Sequence, residues 1–395
     1  MPTYTTYRQI LQDQPFPYAC LDLALLRQNI TINRSRAGDK KIRLASKSIR
    51  CVEVLRLLLA ADAQFQGIMA YHGEEALALA QAGFDDLLLG YPVVDPALLR
   101  QLGQAVQAGT YLCLMADEVR HLELANAAGA ALGVRMPVCL DIDLSQSYPG
   151  LHFGVWRSGI RTLPDLERIL EYLNTLPYVR LDGLMGYEAQ LAGVGDDTPG
   201  QYLKNAAIRW LQKRARRPIS TWRAAAVAAI EAHGFQLRFV NGGGTGSLET
   251  TRQEAVVTEV TVGSGFYAPH LFDHYRHFQL HPALFYGVPV VRQPRAGIFT
   301  CHGGGFVASG GIGPAKAPVV YLPPGGQLDP HEGAGEVQTP VFYKHPVPAL
   351  QPGDPIFFRH AKAGELCEHF NHLLLLDGET VHSVPTYRGQ GWSFG

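Results

Sequence analysis

Arg43-Leu44-Ala45-Ser46-Lys47-Ser48 is a short apolar run that ends in a lysine. A strand of this kind is expected to aim Lys47 at a polar pocket beyond its end. Much later, Gln236-Leu237-Arg238-Phe239-Val240 repeats the strand pattern and runs into Asn241-Gly242-Gly243-Gly244-Thr245-Gly246. Glycine admits φ > 0 and close backbone approach, and successive N–H groups in such a turn can cradle an anion. Each signal alone has an ordinary explanation, because exposed lysines are the norm and glycine-rich turns are common without ligands. Together, an amine and a phosphate cradle point to pyridoxal phosphate.

Outward from these two stretches, the chain from about Tyr18 to Tyr267 alternates short apolar runs with longer helical segments such as Val52–Ala61 and Gly73–Ala82. This is the rhythm of βα units around a parallel sheet. The expected strands are Tyr18–Leu21, Ile42–Ala45, Gly67–Ala70, Asp86–Leu89, Tyr111–Met115, Val138–Ile142, Leu181–Met185 and Leu237–Asn241. Eight such strands predict an α/β fold, a (β/α)8 TIM barrel, whose chemistry sits at the C-terminal strand ends. Lys47, Tyr187-Glu188 and the triple glycine all fall at that edge, which argues for one shared site.

After about His270 the pattern changes to short segments rich in aromatic and β-branched residues and punctuated by Gly and Pro. Gly287–Arg292, Gly297–Cys301, Val319–Leu322, Asp354–Arg359 and Leu373–Leu376 read as strands of an antiparallel β domain. The expected division is a barrel over residues 18–270 and a β domain over 271–395 together with 1–17. Between Gln201 and His233 lies a helical stretch carrying Lys204, Arg209, Lys213, Arg214, Arg216 and Arg217, read as a solvated helix face.

Composition narrows the partners. The 395 residues, 47% hydrophobic, can bury a large core, and 34 basic against 35 acidic residues give a net charge of -1. Such a balance provides no field to draw in nucleic acid or an anionic membrane, so a small molecule is expected. No apolar run reaches the roughly 20 residues of a membrane helix, and the segment Met1–Asp13 is polar and aromatic. Six scattered cysteines without a CxxC pair suit a reducing, cytoplasmic setting.

The order of these motifs resembles the fold-type III pyridoxal phosphate enzymes, the group of alanine racemase, and within it the D-threonine aldolase and D-serine dehydratase-like branch. The resemblance runs through Pro17-Tyr18-Ala19-Cys20-Leu21-Asp22, the lysine strand, Gly90-Tyr91-Pro92-Val93-Val94, Asp141-Ile142-Asp143, Gly186-Tyr187-Glu188, the glycine turn and Gly263-Ser264-Gly265. It implies that Lys47 holds pyridoxal 5'-phosphate covalently, a role that needs an amine able to be neutral, which burial favours. It also implies that Gly243, Gly244, Thr245, Gly263, Ser264 and Tyr267 bind the phosphate and that Arg157 faces the pyridine nitrogen, where a guanidinium can only donate. Tyr187 and Glu188 are expected near the ring or the substrate, with Gln190 close by.

The same branch carries a divalent metal, zinc or manganese, on a His-x-Cys or His-x-Asp pair. Here the matching region reads His360-Ala361-Lys362-Ala363-Gly364-Glu365-Leu366-Cys367-Glu368-His369, and the candidate ligands are His360, Glu365 and Cys367. Aligned on His360, the second ligand becomes Lys362, which does not ligate when protonated; Lys362 and Glu365 are then an acid and a base. Cys301-His302-Gly303-Gly304-Gly305 is like an oxyanion segment of hydrolases, but no G-x-S-x-G elbow accompanies it, so it reads as a turn that would line the pocket. The expected function is a lyase on β-hydroxy D-amino acids, in a homodimer. The alternatives are a racemase of the same fold, a non-catalytic pyridoxal phosphate-binding protein, and a barrel enzyme with a phosphorylated substrate and no cofactor.

Overall fold

Met136–Ile142 is buried along its whole length, the condition of a parallel strand covered on both faces. It lies in a closed barrel whose strands are Lys41–Ala45, Phe65–Ala70, Leu87–Leu89, Leu112–Ala116, Met136–Ile142, Val179–Gly186, Phe239–Gly242 and Glu259–Val262. The computed structural model describes residues 2–311 and 313–394. Alternation along the strands separates two sets of side chains. Leu88, Cys113, Met115, Cys139, Met185 and Phe239 fill the barrel interior, while Leu87, Leu89, Leu112, Leu114, Val138 and Leu140 pack outward under the helices. Several helices begin on side-chain caps, among them Asp22, Asp95 and Thr162, which satisfy N–H groups that helix starts leave unpaired.

One expected strand is elsewhere. Tyr18–Asp22 does not open the barrel; it pairs antiparallel with Leu284–Arg295 and parallel with His372–Asp377 in the second sheet. The place it was expected to fill is taken by Glu259–Val262, which joins Phe239–Gly242 to Lys41–Ala45 and closes the ring. The first barrel residues therefore lie beyond Asp22.

The second sheet has nine strands and is antiparallel apart from that one pairing. All five strands expected after His270 are in it, joined by Gly326–Leu328, Gln338–Tyr343 and Thr380–Pro385. An aromatic cluster of Tyr7, Tyr18, Phe285 and Phe357 fastens the N-terminal helix Tyr4–Ile10 to it. Tyr202–Ala232 is a single helix, and Lys204, Lys213, Arg214, Arg216 and Arg217 are solvent-exposed along it. Among the described residues no helix is long and apolar enough to cross a membrane.

Candidate active site

A cavity of about 240 Å³ opens at the C-terminal ends of the barrel strands. Its floor is a polar network inside the barrel. Arg43 donates to both oxygens of Glu259, at 2.7 and 2.9 Å, and Glu259 accepts from Asn241 Nδ2 at 2.8 Å. Asn241 in turn donates to Thr261 Oγ1 at 2.9 Å, and Asn241 and Thr261 line the cavity. Buried charges require such pairing.

Lys47 lies in the 3-10 turn Ser46–Ser48 that follows Lys41–Ala45, and it lines the cavity. It is exposed there, where a buried amine was expected. Its turn is fixed on several sides: Ser46 Oγ donates to Met69 O at 2.9 Å, Arg50 Nε to Lys47 O at 3.0 Å and Tyr267 Oη to Ile49 O at 3.0 Å. From the second sheet's side, Gly364 packs its backbone on Lys47 and Ser48, and Tyr387 N–H donates to Arg50 O at 2.9 Å.

Opposite, Gly243, Gly244, Thr245, Gly263 and Ser264 line one end of the cavity. The glycines are sterically required. Gly243 has φ +77, a β-carbon on Gly244 would lie 2.9 Å from Ala192 Cβ, and one on Gly263 would lie 2.7 Å from Ser48 Cβ. The last contact places the cradle directly beside the lysine turn, and Ser264 Oγ is 3.3 Å from Ser48 Oγ. Arg36 braces the cradle from behind, donating to Thr245 O at 2.6 Å and to Glu249 Oε2 at 3.0 Å.

Arg157 enters from the loop after Leu151–Phe153. Its Nε donates to Asp141 Oδ2 at 2.5 Å and its Nη2 to Gly90 O at 2.7 Å, and its guanidinium stands 4.9 Å from the Tyr91 ring centroid and 5.9 Å from that of Tyr187. Tyr187 lines the cavity against Gly244, and burial pushes its hydroxyl up to about 12. Lys47 and Arg157 are the charged side chains of the lining, which holds no carboxylate. A lining with basic side chains and no carboxylate favours an anionic ligand.

Three expected site residues are supports instead. Glu188 is 1% exposed and does not line the cavity. Its carboxylate accepts from Arg223 Nη2 at 2.9 Å, from Gly243 N–H and Ser247 Oγ at 3.2 Å each, and from Thr251 Oγ1. With both oxygens occupied, Glu188 shapes the glycine turn from outside. Tyr267 is fully buried, with its hydroxyl on Ile49 O, and holds the lysine turn without touching the cavity. Gln190 is buried with Nε2 donating to Leu144 O at 2.7 Å. The triple glycine at 303–305 stands outside the lining, with Gly304 O accepting from Tyr286 Oη.

The metal ligands do not converge. Among the described residues no group of three or more His, Cys, Asp or Glu side chains is placed to hold an ion. Cys367 is buried, its thiol donating to Ile49 O at 3.5 Å, and burial raises its pKa. His360 is buried with neither ring nitrogen in a hydrogen bond to any described residue, and burial lowers it to about 3. Glu365 instead accepts from Ser309 N–H and Oγ, both at 2.7 Å, and from Lys362 at 3.3 Å. Tyr71, at the end of Phe65–Ala70, escaped the sequence reading. It lines the cavity with a buried hydroxyl that has no partner among the described residues, and its position immediately after an apolar run was the available signal.

The fold is that of solved aldolases and dehydratases. The D-threonine aldolase of Filomicrobium marinum superposes with a TM-score of 0.81 at 18% identity, covering 97% of both chains. The D-threo-3-hydroxyaspartate dehydratase of Delftia sp. HT23 gives 0.76 at 22% identity, over 95% of this chain and 98% of that one. At these identities the likeness is one of fold. Among characterised sequences, the 3-hydroxy-D-aspartate aldolase of Paracoccus denitrificans (strain Pd 1222) is 24% identical over 250 residues, and the D-threonine aldolase of an Arthrobacter sp. is 26% identical over 255. Both matches cover 63% of this chain and only 59% and 60% of those proteins. The family model for the alanine racemase N-terminal domain matches residues 21–270, and the chain belongs to that family.

Proposed function

We propose that this protein is a pyridoxal phosphate-dependent lyase that acts on β-hydroxy D-amino acids, by retro-aldol cleavage or by dehydration and deamination. The observation that carries the cofactor is the shared cavity, in which an amine and a glycine cradle stand side by side with no carboxylate in the lining. The substrate class is supported by the names of the relatives, aldolases and a dehydratase for 3-hydroxy-D-aspartate and D-threonine.

When bound, pyridoxal phosphate supplies a sink for the electron pair of a bond broken at Cα of an amino acid. In this reading Gly243, Gly244, Thr245, Gly263 and Ser264 hold its phosphate through N–H groups and hydroxyls, and the Lys47 amine is its point of attachment. Released from that attachment, Lys47 Nζ is the group that takes or returns a proton at Cα. Arg157, fixed by Asp141 and Gly90 O, stays protonated and only donates, so a ring nitrogen facing it is not protonated and the sink is a moderate one. Such a site relies on placing protons and charge well. A homodimer in a reducing compartment belongs to the proposal, and the six buried, unpaired cysteines agree with that compartment.

The test is the visible spectrum of the purified protein with pyridoxal phosphate, before and after borohydride, beside Lys47→Ala. A yellow band that borohydride abolishes, with the added mass on the Lys47 peptide and absent from the variant, is expected. A screen of D- and L-β-hydroxy amino acids for aldehyde or oxo-acid release then decides the reaction. Interconversion of enantiomers without cleavage would replace the lyase by a racemase, and a protein that stays colourless would end the cofactor reading.

A further inference from the structure

We propose that Lys362, on the loop whose Gly364 packs against Lys47 and Ser48, supplies a resident ammonium to the substrate where the branch would carry a divalent metal, and that the enzyme works without that metal. The inference rests on the lyase reading above. It begins from the misfit of His360, Glu365 and Cys367 as a ligand set, and from what occupies that region instead.

Two fixed points tie the region to the cavity. On one flank, Gly364 lies against the Lys47 and Ser48 backbone, and Arg50, which donates to Lys47 O, also reaches Glu368 at 2.5 Å. On the other, His270 Nε2 donates to Ala317 O at 2.8 Å, and Phe272 of the same short turn lines the cavity. Lys362 and Lys316, each next to one of these points, converge on Gly310, where a β-carbon would lie 3.9 Å from one amine and 3.7 Å from the other.

Lys362 Nζ donates to Ser309 Oγ at 3.0 Å and faces Glu365 Oε1 at 3.3 Å. Glu365 is itself fixed by two further bonds from Ser309. Among the described residues Lys316 Nζ pairs with no carboxylate. Two ammoniums around one carboxylate leave net positive charge, which repels a divalent cation and attracts an anionic or hydroxyl oxygen. A cation already held in place needs no reorganisation when charge develops on substrate oxygen. Lys362 therefore does by a fixed charge what a metal would do by ligation.

The experiment uses the pyridoxal phosphate-loaded protein. Elemental analysis and calorimetric titration with zinc and manganese are expected to show no stoichiometric ion, and EDTA is expected to leave turnover unchanged. Lys362→Met should weaken D-serine binding, followed by its spectral change, and lower kcat/KM by roughly 10²-fold, while Lys47 labelling by borohydride persists. Lys362→Arg, which keeps the charge, should stay within a few-fold of the parent and guards against a folding effect. One tightly bound divalent ion per chain whose removal abolishes turnover would overturn the inference, as would Lys362→Met binding and turning over like the parent. Lys362-dependent D-serine binding without any cleavage would remove the lyase reading and leave only the fixed-charge binding role of Lys362, whereas absence of any D-serine binding would overturn both.

Discussion

Gly364→Ala probes the contact on which the lysine turn rests. The residue has φ +80 and ψ -48, a conformation that is strained for any L-residue. A β-carbon there would lie 1.9 Å from the Lys47 carbonyl oxygen, against a floor of 3.0 Å for real contacts, so the two backbones must part by about 1 Å. The strain alone is worth roughly 1–3 kcal/mol of stability. The displacement matters more for activity, since misplacing a reacting group by about 1 Å can cost on the order of 10²-fold in rate. The assay is kcat on a β-hydroxy D-amino acid, with borohydride labelling of Lys47 and thermal melting alongside. Gly378→Ala is the control, because Gly378 has φ +64 but open space around its β-carbon position. It should lose about 1 kcal/mol of stability and no activity. A Gly364→Ala protein that labels, melts and turns over like the parent would refute the claim that this loop sets the lysine.

Two other substitutions separate support from chemistry. Glu188→Gln takes from the buried Arg223 one of its two carboxylates, the other being Glu254, and is expected to cost about 3 kcal/mol and to loosen retention of pyridoxal phosphate on dialysis; a fall in kcat with melting and retention unchanged would make Glu188 a proton-transfer group after all. Glu75, fully buried and bonded by Tyr71 N–H and Tyr387 Oη, has its carboxyl pushed up to about 7 by burial. The folded state thus holds this proton more tightly than the unfolded one, so its stabilisation is full below about 4.5 and is lost as pH rises through about 7. Melting temperatures measured across that window should fall with pH in the parent and fall less in Glu75→Gln, and equal slopes would contradict the assignment.

The sequence made the barrel legible wherever a strand was an apolar run, which covers seven of its strands. Glu259–Val262 was hidden by its opening glutamate, which is buried only because Arg43 meets it inside the barrel, a pairing between residues far apart in the chain. Tyr18–Asp22 was visible as a strand and misplaced, since a fully buried five-residue run suits either sheet and nothing local names its partner. Within the site, Lys47 and the glycine turn were legible because their residue types are unusual at strand ends. Glu188 and Tyr267 were one or a few residues from the right place but face away from the cavity, and side-chain direction depends on packing that sequence spacing does not give. The candidate metal residues fail for the same reason, because the short 3-10 turn Glu365–His369 sends Cys367 inward to Ile49 and Glu365 outward to Ser309.

These misplacements have a common physical source. Lys47, in its proposed role of attaching and releasing a ligand, is exposed in the cavity, and its own side chain has little packing to hold it. Its geometry must then come from the backbone of its turn. Tyr267, Cys367, Gly364 and Arg50 all bear on the carbonyls of Lys47 and Ile49, and Gly364 and Cys367 come from the loop after Pro355–Arg359, a strand of the second sheet. Tyr387, beyond the last strand of that sheet, both donates to Arg50 O and clasps Glu75. Tyr267 and Cys367, which a motif reading assigns to ligand binding, thus converge with Gly364 and Tyr387 on one turn from behind. A barrel truncated after His270 would keep the glycine cradle and Tyr267 yet lose the restraints from Gly364, Cys367 and Tyr387, so cofactor retention and catalytic rate should separate, the second falling much further than the first.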